Sequence, residues 1–360
     1  MKNHTIISIV PTLPPALNGL GDFGWLLANE LKKTFQQNTV FFSTDTFDNL
    51  DKTFHVEFLN NRNAKDLASL LQKQLLGSIL VHYVGYAYSP SGLPYWLVKG
   101  LQQHKEKDPK CRIVTVFHEL YSTGHPWTKD FWTNPFQRDI VFRLLNLSDR
   151  VICNTEITHS ILQKKSPENK VVFLPVFSNV GEPSTISAFH KRKDWAIVFG
   201  SASLRKRLYK CSGELEYWFK KLQIEQIIEI GPERSDMGKV LFSIPIEYKG
   251  VLPAASVSEI LQSVKYGFIH YPSSLLSKSG VFASYAAHGV APIVLSDAHG
   301  KKSDNKNKIC CLSTTETVNP EVVSQNCFSW YQDHSVEKTS KVIFDLLTKK
   351  ELFSNFIPPK

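Results

Sequence analysis

The 360-residue chain is longer than one hydrophobic core usually grows, so two domains are expected. Its 42% hydrophobic and 21% charged content excludes a disordered chain, and no apolar run reaches the ~18–20 residues of a membrane span. A net charge of +9 favours an anionic partner, which a phosphorylated small molecule, an anionic membrane surface touched peripherally or a nucleic acid could supply. The cations are dispersed, with short knots at Lys191-Arg192-Lys193, Arg205-Lys206-Arg207 and Lys301-Lys302 and no basic tail. That pattern disfavours nucleic acid.

In chain order, residues 6–10 read as a buried strand rather than the apolar core of a signal peptide, because Pro11, Pro14 and Pro15 stand where a small-residue cleavage site would lie. A loop to Asp22 follows, then an amphipathic helix over 23–33. Short strands are predicted at 39–42, 56–58, 78–83, 112–117, 150–154 and 170–174, with helices at 64–75, 95–104 and 134–147. Residues 177–194 lose this periodicity and read as a linker. The alternation then restarts, with strands at 195–199, 226–230, 266–269 and 291–295 and helices at 213–222, 257–263 and 280–288. A last amphipathic helix covers 336–348.

This pattern predicts an α/β protein with two Rossmann-like domains, 1–178 and 195–335, joined by a linker at 179–194. The segment 336–360 would be a helix and tail packing back on the first domain. Parallel sheets bind ligands at the carboxyl ends of their strands, so two such domains facing across a cleft could hold two substrates. Six cysteines without a C-x-x-C pair suggest reduced thiols in a cytoplasmic protein and no zinc or redox motif.

Four segments carry candidate chemistry. Gly19-Leu20-Gly21-Asp22 lies between the first strand and first helix, where glycines admit a close ligand and Asp22 could cap the helix. His118, after the strand at 112–117, could bond a sugar hydroxyl or move a proton, or could simply satisfy a carbonyl; the aromatic loop beyond it could stack on a sugar or pack. Gly200-Ser201 opens onto Arg205, Lys206 and Arg207 at the mouth of the second sheet, where cations would stabilise an anionic leaving group. Finally, Ser277-Lys278-Ser279-Gly280-Val281 starts a helix of small residues that ends at Gly289. Amides, hydroxyls and an ammonium meet there, and a cation at a helix start is unfavourable unless an anion intervenes.

Together these segments resemble, in order, those of a retaining nucleotide-sugar glycosyltransferase of the GT-B fold, in the group 1 or family 4 manner. Gly19-Leu20-Gly21 resembles that family's glycine loop, and Phe117-His118-Glu119 its crevice histidine. The stretch from Gly200 to Lys206 resembles its diphosphate grip, and Ser284-Tyr285-Ala286-Ala287-His288-Gly289-Val290 its Glu-Ala-Met-Ala-x-Gly-x helix. The resemblance implies sugar transfer from a nucleotide-diphosphate donor to a hydroxyl, without metal or cofactor. The acceptor would be a glycan, a lipid-linked molecule or a small molecule.

It further implies His118, Asp22 and Lys206 in catalysis. Gly19, Gly21, Ser201, Arg205, Lys206, Lys278, Ser279, Gly280, Val281 and Ser284 would hold the donor. The family's glutamate pair falls here on Leu276 and Ser284, and its usual arginine on Ser201. The donor's sugar and ribose must then be held differently, or the chain is a catalytically silent binder of a nucleotide sugar or of a partner enzyme.

Overall fold

The computed structural model describes residues 5–16, 18–46, 52–59, 61–74, 77–167, 170–233, 238–295, 311–312 and 319–348. The basic pair Lys301-Lys302, Cys310 and the tail beyond 348 lie outside them. Two compact units form, the first from residues 1–175 together with 336–360, the second from 176–335. The segment read as a linker therefore belongs to the second unit, and the crossing falls at Pro175, ahead of the expected boundary at 178.

The first unit contains β1 (Thr5–Val10), α1 (Gly19–Phe35), β2 (Asn38–Ser43), β3 (His55–Phe58), α2 (Ala64–Lys73), β4 (Gly77–Tyr83) and α3 (Gly85–Tyr88). It continues with α4 (Tyr95–Lys107), β5 (Ile113–Phe117), α5 (Lys129–Leu147), β6 (Arg150–Cys153), α6 (Glu156–Gln163) and β7 (Val171–Phe173). The seven strands are parallel in the order β3-β2-β1-β4-β5-β6-β7. β1 and β5 are almost wholly buried and rich in Ile and Val, with Ser8 and Thr115 the buried polar residues, as strands covered on both faces must be. The sheet reverses direction of growth between β1 and β4, where the Tyr88 hydroxyl sits between the carbonyls of Ile9 (3.0 Å) and His82 (2.8 Å).

The last helix of the chain, Val336–Thr348, returns to this unit. Phe344 stacks on Phe35 with centroids 4.3 Å apart, and the Ser78 hydroxyl donates to the Leu347 carbonyl at 2.8 Å.

The second unit holds β8 (Lys193–Phe199), α7 (Ala202–Lys210), α8 (Ser212–Lys221), β9 (Gln226–Ile230), β10 (Val240–Leu241), β11 (Ile244–Gly250), α9 (Ala254–Ser263), β12 (Val264–His270), α10 (Gly280–Ala287), β13 (Ala291–Leu295) and α11 (Pro320–Gln332); the returning helix is α12. Its order is β10-β11-β9-β8-β12-β13, parallel except for the β10–β11 pair. The switch point lies between β8 and β12.

Candidate functional site

In the second unit, the loops leaving β8 and β12 at the switch point are two of the segments singled out in the sequence. The one after β8 ends at Ser201, whose hydroxyl accepts from the Leu204 amide and caps α7. The basic run Arg205-Lys206-Arg207 therefore lies inside the helix, with Arg207 in its last turn. The one after β12 ends at Ser279, whose hydroxyl accepts from the Phe282 amide (3.2 Å) and caps α10. Gly200, at φ +126°, packs on Val281 of α10, so the two helix starts sit side by side. Neither cap uses the amides of Ala202, Ser203, Gly280 or Val281. Helix N-termini at strand ends beside a switch point leave backbone amides of the kind that bind anions.

The far end of α10 is held as firmly. The buried Arg192 guanidinium donates to the carbonyls of His288 (2.8 Å) and Gly289 (2.9 Å), a cation where the helix dipole is negative. Burial lowers the Arg192 pKa to about 10. Tyr285 lies flat over Gly267, where a Cβ would stand 2.7 Å from the ring, and its hydroxyl reaches the carbonyls of Phe268 (3.2 Å) and Ile197 (3.3 Å). Glycine at 267 thus lets a large residue of α10 tie the helix to β12 and β8.

Several expected donor residues are placed elsewhere. Arg205 is only 1% exposed, and its guanidinium is spent on the Glu229 carboxylate and the carbonyls of Gly200, Pro232 and Glu233. It fastens the turn after β8 to the end of β9 and has no direction left for a phosphate. Ser284 is fully buried and donates to the Gly280 carbonyl at 2.7 Å, so it cannot meet a ribose. Leu276 is buried as well. Lys206 and Ser201 are exposed; Lys278 and Val281 are half-buried, and Lys278 precedes the Ser279 cap in a short 3-10 turn.

Asn179 was hidden in the segment read as linker. Its carboxamide lies 3.5–3.7 Å from where a Cβ of Gly280 would stand, and its Oδ1 is 3.3 Å from the Ser284 hydroxyl. It thus adds a polar group at the α10 start. No local pattern marked it, because it arrives there by packing: the Val176 amide donates to the Ser277 carbonyl, and the Ser178 amide to the Tyr331 hydroxyl.

In the first unit, α1 begins at Gly19, earlier than expected, and is capped by Asn18 rather than Asp22. The Asn18 Oδ1 accepts from the amides of Leu20 (2.9 Å) and Gly21 (3.4 Å). Gly21 is a packing residue: a Cβ there would stand 2.5 Å from the Thr12 carbonyl oxygen, and its amide is already taken, so it is unavailable to a donor phosphate. Gly19 is open. Asp22 sits in the first turn, and burial raises its pKa to about 6.

His118, at the carboxyl end of β5, is half-buried, edge-on to Phe23 at 5.1 Å, with its Nε2 3.4 Å from Nδ1 of His82. His82, next to the last residue of β4, lies inside the unit, where burial pushes its pKa down to about 3 and holds it neutral. One nitrogen of the pair donates to the other, which couples the tautomer of His118 to that of His82. His82 carried no signal in sequence, being one more residue of a buried strand.

No protein-family model matches the sequence, and no curated protein matches it. Solved structures do. An alpha-glucosyltransferase in complex with UDP-glucose and abasic-site DNA is 12% identical, with TM-score 0.59 over 96% of this chain and 99% of that one. WaaG, a glycosyltransferase of lipopolysaccharide biosynthesis, is 10% identical, TM-score 0.60, over 96% and 100%. An α,α-trehalose-phosphate synthase (UDP-forming) from Burkholderia xenovorans with glucose-6-phosphate is 13% identical, TM-score 0.56, over 95% and 99%. The chain has the fold of the GT-B glycosyltransferases.

Proposed function

We propose that the chain transfers a sugar from a nucleotide-diphosphate donor to an acceptor hydroxyl, in glycan or glycoconjugate synthesis. The observation that carries this reading is the pair of capped helix starts, α7 and α10, meeting through Gly200 and Val281 at the switch point of the second sheet. The diphosphate is taken by the amides of Gly280 and Val281 with Ser279 and Ser201 beside them, and Lys206 and Lys278 supply the cations. Departure of the diphosphate then develops its charge against fixed dipoles, and the acceptor attacks from the same face in a retaining transfer. In the first unit, His118 and Asp22 are the groups suited to hydroxyl contact and proton transfer. Glucosyltransferases and a UDP-forming synthase among proteins of this fold support a uridine donor.

The net charge of +9 favours an anionic acceptor or surface. Trp127 (81% exposed), Trp132 (67%), Phe131 and Phe136 project from the loop after His118 and the start of α5. Such a cluster suits peripheral contact with a membrane interface.

A thermal-shift screen with UDP, other nucleoside diphosphates and their sugars tests the donor site, since a ligand of the native state raises stability with saturation. Lys206→Ala and Lys278→Ala each remove most of the diphosphate shift; unchanged shifts refute the site. The second reading, a silent binder of a nucleotide sugar or partner enzyme, is favoured by buried Leu276 and Ser284 where the resembled family has glutamates. Binding without turnover of any donor would establish it.

A further inference from the structure

At the amino end of β5, opposite the end that bears His118, three side chains of different chemistry converge. His104 stands in the last turn of α4, Asp108 is its C-cap, and Cys111 lies two residues before β5. One ligand atom from each, an imidazole nitrogen, a carboxylate oxygen and the thiol sulfur, lies within 4.8 Å of the others. His104 is 5% exposed, and its Nδ1 is sealed from solvent without a hydrogen-bond partner. An imidazole nitrogen buried in this way leaves a polar group uncompensated, which folded proteins rarely tolerate.

The Asp108 amide donates to the His104 carbonyl at 2.9 Å and the Cys111 amide to the Asp108 carbonyl at 3.1 Å, so two tight turns hold the three residues in place. One Asp108 oxygen accepts from the Lys110 amide (3.2 Å). Lys105 is engaged by Asp149 at 3.0 Å and by the Cys111 carbonyl, which offsets its repulsion.

We propose that His104, Asp108 and Cys111 form a site for a divalent transition metal of the zinc type, with water as fourth ligand. Nitrogen, sulfur and carboxylate oxygen are the donor set zinc prefers. Its bonds of ~2.0–2.3 Å put tetrahedral ligand atoms within about 4 Å of one another, inside the 4.8 Å that bounds them here. The exposed Asp108 side chain is free to rotate onto the metal. On binding, the Cys111 S–H bond breaks, the proton passes to solvent and an S–metal bond forms. The metal would clamp the end of α4 to the start of β5, a stabilising role separate from the donor site.

Cobalt titration of the chelator-treated full chain reads this directly. The expected result is saturation at one equivalent, with a thiolate-to-cobalt charge-transfer band that disappears in Cys111→Ser, and a zinc-induced rise in melting temperature. Asp108→Asn keeps an acceptor for the Lys110 amide and folds normally. Losing a direct ligand weakens cobalt by more than the roughly 10–100-fold that outer partners cost. No thiolate band, or a band that survives in Cys111→Ser, overturns the site, as does unchanged affinity in Asp108→Asn. None of these outcomes touches UDP binding, so the donor site stands or falls on its own test.

Discussion

The absent side chain of Gly200 faces Val281: a Cβ built there would stand 3.2 Å from the valine Cγ2, on a backbone at φ +126°. That φ suits glycine and strains any other residue, and the added methyl would push the α7 and α10 starts apart. Gly200→Ala should cost about 1–3 kcal/mol of stability. It should also weaken UDP more than denaturant unfolding alone predicts. Wild-type affinity in Gly200→Ala would separate the anion site from this contact.

Neighbouring cations in α7 should behave in opposite ways. Arg205→Met leaves Glu229 buried without its partner and should destabilise the second unit by about 3–5 kcal/mol. Lys206→Ala removes an exposed charge, so its unfolding free energy should stay within about 0.5 kcal/mol of wild type while the diphosphate shift is lost.

The pH dependence of Asp22 follows from its burial. Its pKa rises from 3.8 to about 6, so between those values the folded chain keeps a proton that the unfolded chain has lost. Its contribution is complete below the lower value and is lost as pH rises through about 6. Asp22→Asn should therefore gain stability relative to wild type on going from acid to neutral pH, read as urea midpoints on each side of the window. An equal difference at both would show an ordinary carboxyl.

For His82 the sign is reversed. Burial lowers its pKa from 6.5 to about 3, so the unfolded chain takes up a proton first as pH falls, and stability drains away below about 6.5. His82→Gln should flatten that loss between pH 6.5 and 4, measured as the pH dependence of unfolding.

Vesicle co-sedimentation checks the exposed aromatics. Trp127→Ala with Trp132→Ala should abolish retention on anionic vesicles and change the melting temperature little, because both side chains are largely exposed and make only local contacts, Trp127 with His125 and Trp132 with the Pro126 carbonyl. Retention that persists would remove the membrane from the proposal.

Much of the fold was legible because parallel strands covered on both faces must be continuous apolar runs. β9, β13 and α12 fall where periodicity puts them, at 226–230, 291–295 and 336–348. The Ser-Lys-Ser-Gly entry to α10 was legible too, since caps are local chemistry. Arg205 shows where such reading ends: nothing in Leu-Arg-Lys-Arg distinguishes the cation that turns inward to Glu229 from the one that stays in water.

The sequence by itself determined the alternation of strands and helices, the two-unit organisation and the helix start at Ser279, because periodicity and capping act over a few residues. Only the tertiary structure decided that α7 and α10 begin side by side, that Asn179 joins them and that Ser284 and Gly21 face inward. Those outcomes depend on strand order and on which backbones approach closely. Contacts between residues about a hundred positions apart, such as Asn179 with Ser284, are set by packing and leave no trace in local pattern.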